Sequence, residues 1–280
     1  MQFIKSKRRL VALAFAFMFA AGSAIYCTRT PTHDGEWIAT NVRLPELSIR
    51  SNQNSIRGIR DFRYDETGAV SQLNYIDRNY DLSQLNGVWY GLSHFADHGF
   101  AHAFLSFEFI GHNGKPEYLV ASIEARLRPG QSYHPISGLL RAFHRIVVLC
   151  TEEDIIGLRT HHRHERVLLY PLRLSQENRL SLARSVFSDA DAMSTHPEFY
   201  NTALDNCITG ILQYTPEWES YLTRLDYRVM LPGLSDELAF KYGYIDGATN
   251  LEELRQRAEI RSPAAFKIDA DYSKNIRLAW

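Results

Sequence analysis

FAHAFLSFEFIGHNGKPEYLVASIEARL, residues 100–127, is the stretch whose reading decides the fold. Ala101, Ala103, Leu105, Phe107 and Phe109 recur with period two, the spacing that puts side chains on one face of a strand. Phe100, His102, Phe104, Ser106 and Glu108 take the other face. Gly111–Pro116 (GHNGKP) follows, and its Asn-Gly pair is the strongest short-range hairpin signal, because both residues tolerate the positive φ of a tight turn. Glu117–Leu127 (EYLVASIEARL) is then the returning strand. Folding about Asn113–Gly114 sets His102 opposite Ala125, and one residue of slip sets it opposite Glu124. A loop of this length does not fix the register more closely.

Working outward, Val88–Phe95 reads as a strand and Ala96–Gly99 (ADHG) as the turn into the hairpin. Upstream of these, Ile59–Tyr64 (IRDFRY) begins regular structure. Downstream, Ser137–His144 reads as a short helix and Arg145–Cys150 (RIVVLC) as a buried strand. Glu152–Arg159 reads as helix and Arg166–Leu174 (RVLLYPLRL) as a fifth strand. Ser175–Ser194 is a longer helix with Ser175 as N-cap, and Ile208–Tyr214 is helical up to Pro216. The last 60 residues mix short helices and turns. Runs of strand with helices between and after them give an α+β class with an antiparallel sheet, as a single domain over residues 59–280. Residues 28–58, with Pro31 and Pro45 and little periodicity, read as an extended linker arm.

The amino terminus reads differently. Lys5, Lys7, Arg8 and Arg9 precede an uncharged stretch, Leu10–Tyr26, that ends in small residues (Ala21, Gly22, Ser23, Ala24). A basic start, an apolar run and small residues are the pattern of an export signal. The run also reaches the lower limit for a membrane-spanning helix. Residues 1–27 are therefore a signal peptide, cleaved after Ser23 or Ala24, or an N-terminal anchor in the inner membrane. In either case the rest of the chain is expected on the periplasmic side. Tyr26 stands where a lipidation signal wants a small residue, which argues against lipid on Cys27.

Composition closes off other classes. The 280 residues are 45% apolar and 22% charged, which excludes a disordered or low-complexity chain. The net charge of −1 gives no nucleic-acid footprint, and setting aside the four basic residues before the apolar run leaves a mildly acidic body. Three cysteines, Cys27, Cys150 and Cys207, are an odd number and argue against a disulfide framework in an exported protein.

Cys207 is the first candidate for chemistry. Asn206 or Asp205 can cap the helix that follows, where backbone N–H groups favour a thiolate and can hold an oxyanion. It also reads as a small buried hydrophobe. His102 is the second: an imidazole on that strand face can take a thiol proton, or else serve as a core-edge histidine bonded to a carbonyl. Glu124 is the third, able to orient and charge-stabilise His102 or to pair with Arg126 or Arg128. His161, His162 and His164 lack an acidic or cysteine partner at ligand spacing, so no metal and no other cofactor is expected. Arg159 and Arg163 face an anionic lipid or substrate, or are simply solvated.

Seven ordered segments resemble a bacterial family named for the N-terminal periplasmic domain of the lipoprotein N-acyltransferase Lnb. They are IRDFRY (59–64), AHAFLSFEF (101–109), SIEAR (122–126), EDIIGLR (153–159), LYPL (169–172), EFYNTALDNC (198–207) and LPGLSD (231–236). Together they extend the resemblance over nearly the whole exported part. The resemblance implies a circularly permuted papain-like fold of the NlpC/P60 kind, with the histidine before the cysteine as in the lecithin-retinol acyltransferase group. It implies Cys207 as nucleophile, His102 as base and Glu124 as orienting residue. The family often has Thr after the histidine and Thr-Thr after the cysteine, where this chain has Ala103 and Ile208-Thr209. Lnb also carries a multi-helix membrane region after this domain, so full lipoprotein acylation is expected either to need a membrane partner protein or to be absent.

The expected activity is thus cysteine-dependent acyl transfer at the periplasmic face of the inner membrane, with a phospholipid or lipoprotein as substrate. An amidase or peptidase of cell-wall peptides is the enzymatic alternative. A non-catalytic module that binds a lipid or protein in the same groove is the other.

Overall fold

The computed structural model describes residues 17, 22–24, 26–97, 99–204, 206–215, 220–260 and 267–280. Most of the predicted export segment lies outside these residues. Among the described residues no helix is long and apolar enough to cross a membrane.

The hairpin read from the sequence is the centre of the sheet. Strands run β1 (Glu46–Arg50), β2 (Gln53–Arg60), β3 (Arg63–Tyr64), β4 (Val70–Gln72), β5 (Tyr75–Asp81), β6 (Leu85–His94), β7 (Ala101–Ile110) and β8 (Pro116–Arg126). After them come β9 (His144–Cys150), β10 (Arg166–Pro171) and β11 (Glu198–Phe199). The main sheet has the order β1-β2-β9-β8-β7-β6-β10, with β5 also on β2 and β11 on β9, while β3 and β4 pair separately. Pairing is antiparallel except for one parallel contact, Arg60 with Cys150. The architecture is α+β with a mostly antiparallel sheet.

Both faces of the sheet are covered, so β7 is buried along nearly its whole length rather than on alternate residues. Leu105, Phe107 and Phe109 pack under α3 (Gln176–Thr195), whose Leu182, Val186, Phe187 and Met193 supply the facing layer. The Phe107 and Phe187 rings meet edge-on at 6.0 Å. Phe104 on the opposite face joins Trp89, Val120, Ile146 and Val148 beneath α2 (Glu152–Gly157) and the C-terminal Tyr272 and Ile276. Each such ring removed from water contributes about 1.5–3 kcal/mol. Gly91 on β6 makes room for one of them: a Cβ there would lie 2.2 Å from the Phe104 ring. Ser175 caps α3 as predicted, its Oγ accepting from the Asn178 N–H at 3.2 Å.

Buried carboxylates tie distant segments together. Asp154, fully buried, accepts two hydrogen bonds from the Arg60 guanidinium (2.8 and 3.0 Å), one from the Phe62 N–H and one from the Tyr64 hydroxyl. Glu152 takes the Ser106 hydroxyl at 2.5 Å and Arg277 at 2.8 Å, joining β7 to the C-terminus. Asp236 takes the Tyr170 hydroxyl at 2.9 Å and a two-pronged contact from Arg255. A buried charge is tolerated only with such partners. Segments 59–64 and 153–159 are thus two halves of one network.

Two expectations need correction. The sheet begins at Glu46, not Ile59: β1 and most of β2 occupy the second half of the predicted arm 28–58, after a 3-10 turn at Ala39–Asn41. β1 is an edge strand exposed along most of its length, so its sequence ELSIR carries no core-facing alternation to read. The helix predicted at Ser137–His144 is α1, Pro135–Leu139, and His144 already opens β9. All three cysteines are free, Cys27 exposed and Cys150 and Cys207 buried.

Candidate active site

The β7–β8 ladder pairs Ile110 with Pro116 through Leu105 with Ala121 and ends there. Carried on at the same offset, it sets His102 opposite Glu124, the slipped alternative of the two registers. Beyond the end of the ladder the Ala103 N–H donates to the Cys207 thiol at 3.4 Å. The residue next to the histidine therefore holds the sulfur.

Cys207 reaches that position through Asn206. The Asn206 Oδ1 accepts from the N–H groups of Ile208 (2.8 Å) and Thr209 (2.9 Å), while its amide donates to the Thr202 carbonyl at 2.7 Å. This is the predicted cap, and it belongs to Asn206; Asp205 lies outside the described residues. The helix behind it, α4 (Thr209–Leu212), has only four residues. Gly210 lets it dock, since a Cβ there would lie 2.0 Å from Ile123 Cδ1 on β8.

The electrostatics depart from the sequence reading. A four-residue helix has almost no macrodipole, and the Ile208 and Thr209 N–H groups expected to hold an oxyanion are already engaged by Asn206. Cys207 is buried, and burial pushes its thiol up to about 11, only partly countered by the amides of Ala103, Cys207 and Ile208 and by Arg159. The resting sulfur is a protonated thiol.

His102 is neutral too. Burial and then Arg159 lower its imidazole to about 3, against the opposite pull of Glu124. Its Nε2 lies 2.7 Å from Ser122 Oγ, and that hydroxyl donates to Glu124 Oε1 at 3.1 Å. With the hydroxyl proton committed to the carboxylate, Ser122 accepts from Nε2–H, which leaves Nδ1 with the lone pair. Glu124 would be raised by burial, but Arg60, His102 and Arg159, with the Ser122 hydroxyl, outweigh it and hold it ionised. Glu124 thus addresses His102 through Ser122 rather than directly.

Ser122 is the residue that sequence reasoning missed. It sits two positions before Glu124 on one strand face, so a register that brings 124 to His102 brings 122 as well. Arg159 was read as solvated or substrate-facing. It is buried in the irregular turn after α2, with Nη1 on the Ile155 carbonyl (3.1 Å) and Nη2 3.9 Å from Glu124. Of the three neighbouring histidines, His161 packs edge-on against Tyr272 and His162 lies against Tyr64. Among the described residues no three metal-ligating side chains form a group.

His102, Glu124, Arg159, Asn206 and Cys207 share one open groove of about 810 Å³. Ile123, Leu127, Tyr133, Leu139, Tyr200 and Leu231 make most of its wall apolar. A volume of this order suits a lipid tail or a drug-sized ligand. The arrangement offers a nucleophile, a base with a fixed tautomer and an ionised carboxylate one hydroxyl away, all opening onto apolar wall.

Residues 71–233, more than half of the chain, match the family described as the Lnb N-terminal periplasmic domain. That span contains His102, Ser122, Glu124, Arg159, Asn206 and Cys207. No curated protein and no solved structure matches the chain. The chain belongs to the Lnb N-terminal periplasmic domain family, and its place is the periplasm that the export-type amino terminus predicts.

Proposed function

We propose that the protein is a cysteine-dependent acyl-transfer enzyme acting on lipid or lipoprotein acyl groups. The observation that carries this reading is the Cys207 thiol, held by the Ala103 amide, in one apolar groove with His102 and Glu124, which the buried Ser122 hydroxyl links. Cys207 Sγ attacks an ester carbonyl as its proton passes to His102 Nδ1, and Ser122 with Glu124 stabilises the imidazolium that forms. The carbonyl–oxygen bond then breaks, the leaving alcohol takes the proton from His102, and a thioester remains on Cys207. An acceptor amine gives its proton to His102 and attacks the thioester, which yields an amide and restores the thiol. Water in place of the amine gives hydrolysis.

The circularly permuted papain-like fold belongs to the same proposal. Histidine before cysteine, the histidine on an antiparallel sheet and the cysteine at a helix start all agree with it. The substrate would come from the inner membrane.

The test is the intact mass of the full chain after incubation with phospholipid, beside Cys207→Ala and His102→Ala. The expected result is an acyl-sized, hydroxylamine-labile adduct on Cys207 that both variants lack. No adduct, together with no turnover of any ester that depends on Cys207, would replace the enzyme with a binding module. Turnover of cell-wall peptides but not lipids would turn the reading to an amidase.

A further inference from the structure

The mouth of the groove is built from apolar side chains that remain exposed. Phe95 and Phe100 flank the turn between β6 and β7, Ile136 and Leu139 lie on α1, and Tyr227 and Met230 lie on the helix Tyr227–Met230. Ile136 is 62% exposed and Met230 58%. Three segments thus turn large hydrophobic groups to solvent around one opening. An exposed apolar cluster of this kind marks a surface that meets another apolar phase.

The chain itself indicates which phase. The uncharged run Leu10–Tyr26 ends at this rim: the Tyr26 carbonyl accepts from Arg141 Nη1 at 3.0 Å, and the Arg141 guanidinium lies 4.2 Å above the Tyr26 ring. Arg29 Nη1 returns the contact to the carbonyls of Leu140 and Arg141, each at 3.2 Å. Residues 140 and 141 directly follow α1, which carries Ile136 and Leu139. Tyr26, the end of the run with the composition of a membrane helix, therefore lies beside the apolar mouth. Two arginines stand at the junction, where long basic side chains reach from apolar surface to headgroups. Tyr26 and Arg29 follow the predicted cleavage points, so the junction persists whether or not the residues up to Ser23 or Ala24 are removed.

We infer that the groove mouth docks on the lipid bilayer, with Phe95, Phe100, Ile136, Leu139, Tyr227 and Met230 entering the boundary between headgroups and acyl chains. The occupant is a phospholipid surface, and an acyl chain passes from it into the groove toward Cys207 without crossing water. The passage of the acyl chain rests on the acyl-transfer reading, whereas the docking itself is measurable without any reaction.

The experiment uses the full chain with Cys27→Ser, in vesicles of phosphatidylcholine. Ile136→Cys, Met230→Cys and Leu73→Cys are each labelled with an environment-sensitive NBD fluorophore, with single labelling checked by mass. Leu73 is 64% exposed but lies apart from the groove lining, which makes it the control. Phosphatidylcholine carrying a doxyl quencher on its acyl chain is then included. The expected result is a blue shift and loss of emission at positions 136 and 230, with neither at 73. Equal quenching at all three sites, or none at any, overturns the inference. Protection at 136 that rises with protein concentration and is not quenched assigns the face to a second copy of the chain and overturns it as well. Acylation of unlabelled protein by a soluble short-chain ester reads the chemistry separately, so a failure of docking and a failure of acyl transfer are distinguishable.

Discussion

Ser122→Ala is the sharpest probe of the site. The hydroxyl it removes is fully buried and carries two contacts, 2.7 Å from His102 Nε2 and 3.1 Å from Glu124 Oε1. Alanine keeps the strand but leaves Nε2–H with no acceptor and separates the imidazole from its carboxylate. Leaving a buried donor unpaired costs about 1–3 kcal/mol. That cost falls most heavily where His102 carries a positive charge, in the step that forms the acyl-enzyme. At about 1.36 kcal/mol per decade, the acylation rate should fall roughly 5- to 150-fold. The assay is the pre-steady-state burst of nitrophenolate from a p-nitrophenyl ester, with urea unfolding of the same variant to separate stability from rate. Ser122→Thr restores the hydroxyl on a strand that suits a β-branched side chain, and should recover most of the burst. Glu124→Gln keeps the hydrogen-bond geometry but removes the charge, so it should slow the burst as well. A Ser122→Ala protein that acylates at the unsubstituted rate would show that His102 needs neither partner, and the chain from Glu124 would lose its catalytic meaning.

Further outcomes follow from the same structure. Cys207 is raised from 9.0 to about 11, so between those values the folded protein keeps a proton that the unfolded chain releases, and stability falls as pH rises through that window. His102, lowered from 6.5 to about 3, has the opposite effect: the unfolded chain gains the proton first, and stability falls as pH drops below about 6.5. The unfolding free energy from urea curves should fall by up to about 1.4 kcal/mol per pH unit for that one group, less steeply in His102→Gln, with His144 adding a similar slope toward its value of about 4. Iodoacetamide should alkylate Cys207 slowly at neutral pH and faster as pH climbs, whereas a plateau reaching down to acid pH would mean a thiolate–imidazolium pair at rest. Asn206→Ala removes the acceptor for two N–H groups ahead of α4 and should cost about 1–2 kcal/mol by thermal unfolding, together with loss of the nitrophenolate burst. Asp154→Ala leaves the Arg60 charge buried without its partner, and should cost about 3–5 kcal/mol in chemical denaturation although it is remote from the thiol.

The sheet was legible where burial leaves a pattern. Period two in Ala101–Ile110 and the Asn-Gly turn sufficed to predict the central hairpin, and Ser175 marked the start of α3 through its capping chemistry. Strands β1 and β2 escaped because β1 is an exposed edge and β2 buries Asn54 and Arg60 as well as isoleucine. Arg60 is held in the interior by Asp154, ninety-four residues away, and no local window contains that reason. The register of His102 was open by one residue for the same cause. It is set by the whole β7–β8–β9 ladder rather than by the six-residue loop.

The thiol shows where local reasoning reaches its limit. A capped helix start argues for a low pKa, and each local element of that argument is present: the Asn206 cap, the helix and the nearby amides. Burial reverses the conclusion, because an apolar surround penalises the thiolate more than three amides and a screened arginine favour it. Arg159 is itself buried beside Glu124, so much of its field is spent on a carboxylate. A neutral thiol in one groove with a neutral imidazole stores no charge, and on the acyl-transfer reading the proton leaves Sγ only as the bond to an acyl carbon forms. On the acyl-transfer reading, the selectivity of the site then lies in what the groove admits rather than in the intrinsic reactivity of the cysteine. A small soluble electrophile meets a sluggish thiol. A chain long enough to fill the apolar wall can bring its ester carbonyl to the same atom with Nδ1 of His102 poised to take the proton.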